Sequence, residues 1–162
     1  MTEQGLKTLM DKLPDIYTTA IINFSYFGEA ARVCERLKET ETNFYADKMI
    51  NYLNQLKALC TCIMDEIKNI KTIQYANNGD IRGEALCLVD VHAQSMFDAI
   101  DEFEEKRNNL FVYQDFNKFV EPKMGQYYRD LIKTEDKKQD SSTVPAQSDG
   151  GASSQESDAV EI

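Results

Sequence analysis

The sequence predicts an all-α fold, an antiparallel three- to four-helix bundle with long coiled-coil-like helices over residues 1–133 and a disordered acidic, Ser-rich tail over 134–162. Three observations predict it. Apolar residues at Ala46, Met49, Leu53, Leu56, Cys60, Ile63, Ile67 and Ile70 recur at alternating steps of three and four, which keeps one stripe of a helix facing a neighbour. The same periodicity returns at Leu86, Val89, Ala93, Met96, Ile100 and Phe103. From Thr134 onward the chain has no aromatic residue and is rich in Ser, Gln, Gly and Asp, a composition that cannot bury enough apolar area to offset its ordering entropy.

Taken in chain order, residues 3–13 predict a short helix on the shared face of Leu6, Leu9, Met10 and Leu13. A first long helix follows over about 15–38, entered through Pro14, because proline suits a first helical turn. Its stripe is Tyr17, Ala20, Phe24, Phe27, Ala31 and Cys34, with Ile21 and Leu37 beside it. Gly28, Ala30 and Ala31 form a thin waist for a close neighbour.

The heptad helix runs to about Ala76. One of its flanks carries Tyr45, Tyr52, Leu59 and Ile73, interrupted by Glu66, and the other carries Ile50, Lys57, Met64 and Lys71. An isolated two-stranded coiled coil has a narrow seam and charged flanks; this wider stripe predicts a bundle helix touching two neighbours. Asn77, Asn78 and Gly79 stop the helix and Asp80 caps the next, over about 81–108. Arg107 falls on the continued seam of that third helix, which predicts that the helix leaves the core or changes neighbours there. Phe111 to Tyr128 is aromatic and broken by Pro122 and Gly125. It predicts a short helix or turn, then a last helix over about 122–133.

Composition excludes several function classes. With 162 residues and 42% hydrophobic content the chain is one domain long with a modest core. A net charge of −10 opposes nucleic acid or an anionic membrane as partner, since both need a basic surface. The longest uncharged run, 16–28, is too short to span a bilayer. Glu3 and Gln4 precede any apolar stretch, so the N-terminus does not read as a secretory signal. Four cysteines without framework spacing fit a reducing compartment, cytoplasmic or nuclear.

No cofactor or metal is expected. Cys60 and Cys62 lie two residues apart on a helix, about 200° around its axis from each other, so they cannot share one ion with Cys87 and His92. The residue three before His92 is Val89, which breaks the Glu-x-x-His pattern of di-iron bundles. Local spacing places no Ser, Cys or carboxylate for catalysis beside His92. The carboxylates between Asp98 and Glu105 read as the solvated face of an amphipathic helix.

The expected function is therefore a non-enzymatic helical protein–protein interaction module, a small adaptor or a subunit of a larger assembly. The alternatives are a homo-oligomeric structural protein that self-associates through the wide seam, and a bundle enzyme or small-ligand carrier. Expected partner-binding residues are Tyr113, Phe116 and Tyr127, because aromatic side chains dominate interface anchors. Phe116, Phe119 and Val120 also sit at the spacing of a lid closing the bundle end, with Tyr113 or Tyr127 outward. Val160 and Ile162 flank Glu161 at the C-terminus, a pattern suited to strand addition into a carboxylate-binding groove of the PDZ type. Ser153, Ser154 and Ser157 lie beside Glu156 and Asp158 and suit phosphorylation.

Overall fold

The computed structural model describes residues 1–125 and Tyr128. The expected last helix over about 122–133 does not begin at Pro122, which sits in a 3-10 turn that gives way to extended backbone at Met124; apart from Gly125 and Tyr128, the rest of it and the tail, with Tyr127, Val160, Ile162 and the three serines, lie outside the described residues. Within them the protein is all-α: α1 spans Glu3–Leu37, α2 Ala46–Ala76 and α3 Glu84–Phe111. A π-helical turn at Phe116–Val120 and a 3-10 turn at Glu121–Lys123 follow.

α1 corrects the expected break at Pro14. It is one helix of 35 residues with Pro14 in its interior, where proline removes a backbone hydrogen bond and crowds the preceding turn. The helix continues because Leu9 and Leu13, on one side of Pro14, and Ala20, on the other, are buried in the same core. Breaking the helix would expose that apolar surface, at about 1.5–3 kcal/mol for each large side chain.

α2 matches the heptad throughout: all eight seam residues from Ala46 to Ile70 are buried. Its end is a left-handed turn. Asn78 and Gly79 have φ of 53° and 81°, and the Gly79 amide donates to the Gln74 carbonyl at 2.9 Å, closing the helix in a Schellman-type cap. α3 begins later than the expected position 81 because Gly83 has φ 59°, a conformation no helix interior holds. Ile81 is nevertheless buried, ahead of the helix.

The helices alternate in direction. His92 on α3 reaches Glu66 on α2 while Lys106, further along α3, reaches Gln55, earlier on α2, so these two run antiparallel. On α1, Phe24 sits under the Lys57 ammonium, and Lys38 pairs with Asp47, so α1 and α2 are antiparallel too. The two flanks of α2 thus have different tasks: Lys57 faces α1 and Glu66 faces α3.

The chain forms two compact units. The first comprises Met1–Phe24 with Gln55–Lys106, and the second Ser25–Asn54 with the described residues from Arg107 onward. Arg107, the interruption in the α3 seam, is where α3 passes from one unit to the other. The core of the first unit is aliphatic, built from Leu9, Leu13, Ile63, Ile67, Ile70, Val89 and Met96 among others. The second buries Tyr26, Phe27, Phe44, Phe116, Leu110 and Val120. No helix among the described residues is long and apolar enough to cross a membrane.

Candidate functional site

Two places concentrate chemistry, one in each unit. In the second unit the aromatic stretch folds back after α3. The Tyr113 amide donates to the Leu110 carbonyl at 3.0 Å, and the Asn117 side-chain amide donates to the Phe111 carbonyl at 3.0 Å. Two of the carbonyls freed at the end of α3 are thereby satisfied. A π turn follows in which the Glu121 amide reaches the carbonyl of Phe116, five residues back. Pro122 then sits in the first turn of the 3-10 segment.

This fold-back divides the aromatic residues by role. Phe111 stacks at 5.8 Å on Phe116 and at 6.3 Å on Phe27, and Tyr26 meets Phe27 edge-on at 5.0 Å. Such ring geometries contribute beyond their buried area. Phe116 is fully buried, so it belongs to the core, and Val120 one turn on is buried with it. Tyr113 is 46% exposed and its neighbour Val112 80% exposed. Phe119 is half-buried against Phe44 at 5.3 Å. Beside it Leu37, Glu41, Lys118, Pro122 and Lys123 complete a groove of about 440 Å³, with the Lys118 ammonium 5.2 Å from the Phe119 ring.

The site expectations therefore separate: Tyr113 is accessible, Phe116 is a packing residue, and Tyr127, Val160 and Ile162 lie outside the described residues. Val112 carries no aromatic or motif signal in the sequence. Its exposure follows from its place one residue beyond the last turn of α3.

In the first unit the structure corrects the reading of His92. His92 Nδ1 lies 2.6 Å from Glu66 Oε1, and the Asn69 amide donates to the same oxygen at 3.2 Å. Ser95, one turn after His92 on α3, also hydrogen-bonds Glu66. Burial opposes ionisation of Glu66, but the bonds from Ser95, His92 and Asn69 outweigh it and hold the carboxyl below its ordinary range. The carboxylate arrives from another helix, which local spacing around His92 cannot reveal. A signal was nonetheless present, in that Glu66 is the one acidic residue interrupting an apolar flank of α2.

The thiols are graded by depth. Cys34 and Cys60 are buried, Cys62 is half-buried and Cys87 is exposed. Burial, with a smaller push from Glu35, raises the Cys34 thiol to about 12. Cys62 is also raised, first by burial and then by the carboxylates of Glu66, Asp65 and Glu102. Such thiols stay protonated and are poor nucleophiles. No group of three or more His, Cys, Asp or Glu side chains converges as a metal site among the described residues. Comparison of the chain with protein-family models, with curated proteins and with solved structures found no match.

Proposed function

We propose that the chain is a non-enzymatic helical interaction module that docks another protein at the end of α3. The reading rests on one observation: Val112 and Tyr113 remain exposed where the surrounding aromatic residues are packed away. A filled core beside an uncovered Tyr is the arrangement of a binding anchor, because Tyr supplies large contact area at low entropic cost. The adjacent groove adds Phe119, Pro122 and two lysines, an apolar floor with charges for a polar rim. A role as adaptor or complex subunit in the cytoplasm or nucleus accords with four cysteines of which none forms a disulfide. Burial of the whole α2 seam within one chain supports this reading over self-association through that seam.

The test is affinity capture from the native source, followed by binding measurements on Val112→Ala and Tyr113→Ala with the recovered partner. At least one variant is expected to bind more than tenfold more weakly while melting like the parent, as loss of about 2 kcal/mol at an anchor implies. Parent-like binding by both folded variants places the docking surface elsewhere.

A further inference from the structure

We propose that Asn78 is a site of spontaneous modification: its side-chain amide deamidates through attack by the Gly79 backbone nitrogen, at a rate set by opening of the cap that ends α2. Asn78–Gly79 is the single Asn–Gly pair of the chain. A side chain on the residue after an asparagine obstructs the approach of that residue's nitrogen, and glycine has none. Nothing beyond its chain neighbours lies within 4 Å of where a Gly79 Cβ would sit, so the surroundings do not crowd the reaction either.

The atoms balance with water as the only co-reactant. The Gly79 nitrogen gives up its proton to solvent base, and its electron pair forms a bond to Asn78 Cγ. The Cγ–Nδ2 bond breaks, and that nitrogen leaves with a proton from water as ammonia. The product is a cyclic succinimide, which water opens at either carbonyl. One opening leaves aspartate. The other leaves isoaspartate, in which the main chain runs through Cβ and Cγ.

The structure supplies both the reactants and the restraint. Asn78 and Gly79 are exposed, and the Asn78 side chain has no hydrogen-bond partner among the described residues. The backbone of the turn is engaged. Asn78 donates to the Tyr75 carbonyl at 3.2 Å, Gly79 to Gln74 at 2.9 Å and Asp80 to Asn77 at 2.9 Å. The Gly79 N–H, which must ionise and turn toward Cγ, is therefore held against the last turn of α2, with both residues left-handed at φ 53° and 81°. Attack requires that turn to open, a local event that leaves the rest of the unit folded. Asn77 differs in both respects: its side-chain amide donates to the Ile73 carbonyl at 2.8 Å, and the residue after it carries a side chain.

Conversion acts on the joint between α2 and α3. An aspartate at 78 meets the carbonyl end of α2, where the helix dipole is already negative. Isoaspartate lengthens the main chain by one methylene before Gly79, which displaces the Gly79 amide from the Gln74 carbonyl and undoes the cap.

The experiment incubates the full chain in mildly alkaline buffer, native and in denaturant, and follows every asparagine by peptide-mapping mass spectrometry, which reads the replacement of an amide NH2 by OH. Asn78 is expected to convert before every other asparagine in both conditions. It is expected to convert about tenfold more slowly in the native chain, because the hydrogen bonds of the capped turn must open first. Another asparagine converting ahead of it, or no conversion in the native chain, overturns the site. Equal rates in the two conditions overturn its control by the cap. In denaturant, where folding does not enter, Gly79→Ala is expected to slow conversion of Asn78 severalfold, and an unchanged rate overturns the Gly79 nitrogen as the attacking atom.

Discussion

The two units of this protein draw on the same three helices yet solve the packing problem with different side chains. In the first, short aliphatic residues at helical spacing fill the core, and between α2 and α3 a hydrogen-bonded carboxylate–imidazole cluster joins them. In the second, rings do the filling: Tyr26, Phe27, Phe111 and Phe116 stack or meet edge-on, and a π turn brings the last of them inward. Aliphatic seams need only correct periodicity, because Leu, Ile and Val pack in many mutual orientations. Aromatic clusters need specific ring orientations, and irregular backbone supplies them. The difference teaches that a regular heptad suffices where the core is aliphatic, and that irregular backbone enters where rings must be oriented.

The sharpest test of that contrast is a charge in the aliphatic seam. Ile63→Asp buries an unpaired carboxylate in the first unit and is expected to destabilise by about 4 kcal/mol or more, checked by chemical denaturation. Phe116→Ala empties the aromatic core of the second and is expected to cost about 3–4 kcal/mol by the same measurement. Each unit carries its own buried thiol, Cys60 in the first and Cys34 in the second. Alkylation kinetics therefore report each opening separately: Ile63→Asp is expected to accelerate labelling of Cys60 most, and Phe116→Ala that of Cys34. If either lesion exposes both thiols equally, the units open together and the contrast is one of composition alone.

A smaller effect, of opposite sign, is expected at Pro14. It is exposed in the interior of α1, where proline is about 3 kcal/mol less favourable than alanine in an unstrained helix. Pro14→Ala should therefore raise stability by about 1–2 kcal/mol, read as a higher denaturation midpoint, since part of the penalty is already relaxed. No gain would mean that the local backbone has adapted fully to the proline. The smallest effects belong to the uncovered pair. Val112→Ala and Tyr113→Ala should each change stability by no more than about 0.5 kcal/mol, so that any loss of partner binding reads as a loss of contact.

Much of this architecture was legible in the residues. The α2 seam, its stop at Asn78–Gly79, most of the α3 seam and the change at Arg107 all follow from local spacing, which carries the period of a helix directly. The expected helix start at 15 failed because local preference at Pro14 was outweighed by the burial of Leu9 and Leu13, a nonlocal term. The α1 stripe also shifted. Ile21 is exposed, whereas Asn23, Tyr26 and Val33 are buried. In the candidate site, Tyr113 and Phe116 have similar local signals, and only the fold-back after α3 separates an accessible ring from a buried one.

By itself, then, the sequence determined what is periodic: the helical class, the seam that binds α2 to its neighbours, and the left-handed turn that ends it. Those features depend on residues a few positions apart, whose relative placement is set by the rise and twist of one helix. Tertiary structure alone decided what depends on residues far apart in the chain: that α1 runs through Pro14, that Phe116 is core while Val112 is surface, and that Glu66 finds His92 across 26 positions. An interruption in an apolar flank announces that a polar group needs a partner, but only the antiparallel register of two helices determines which residue that partner is.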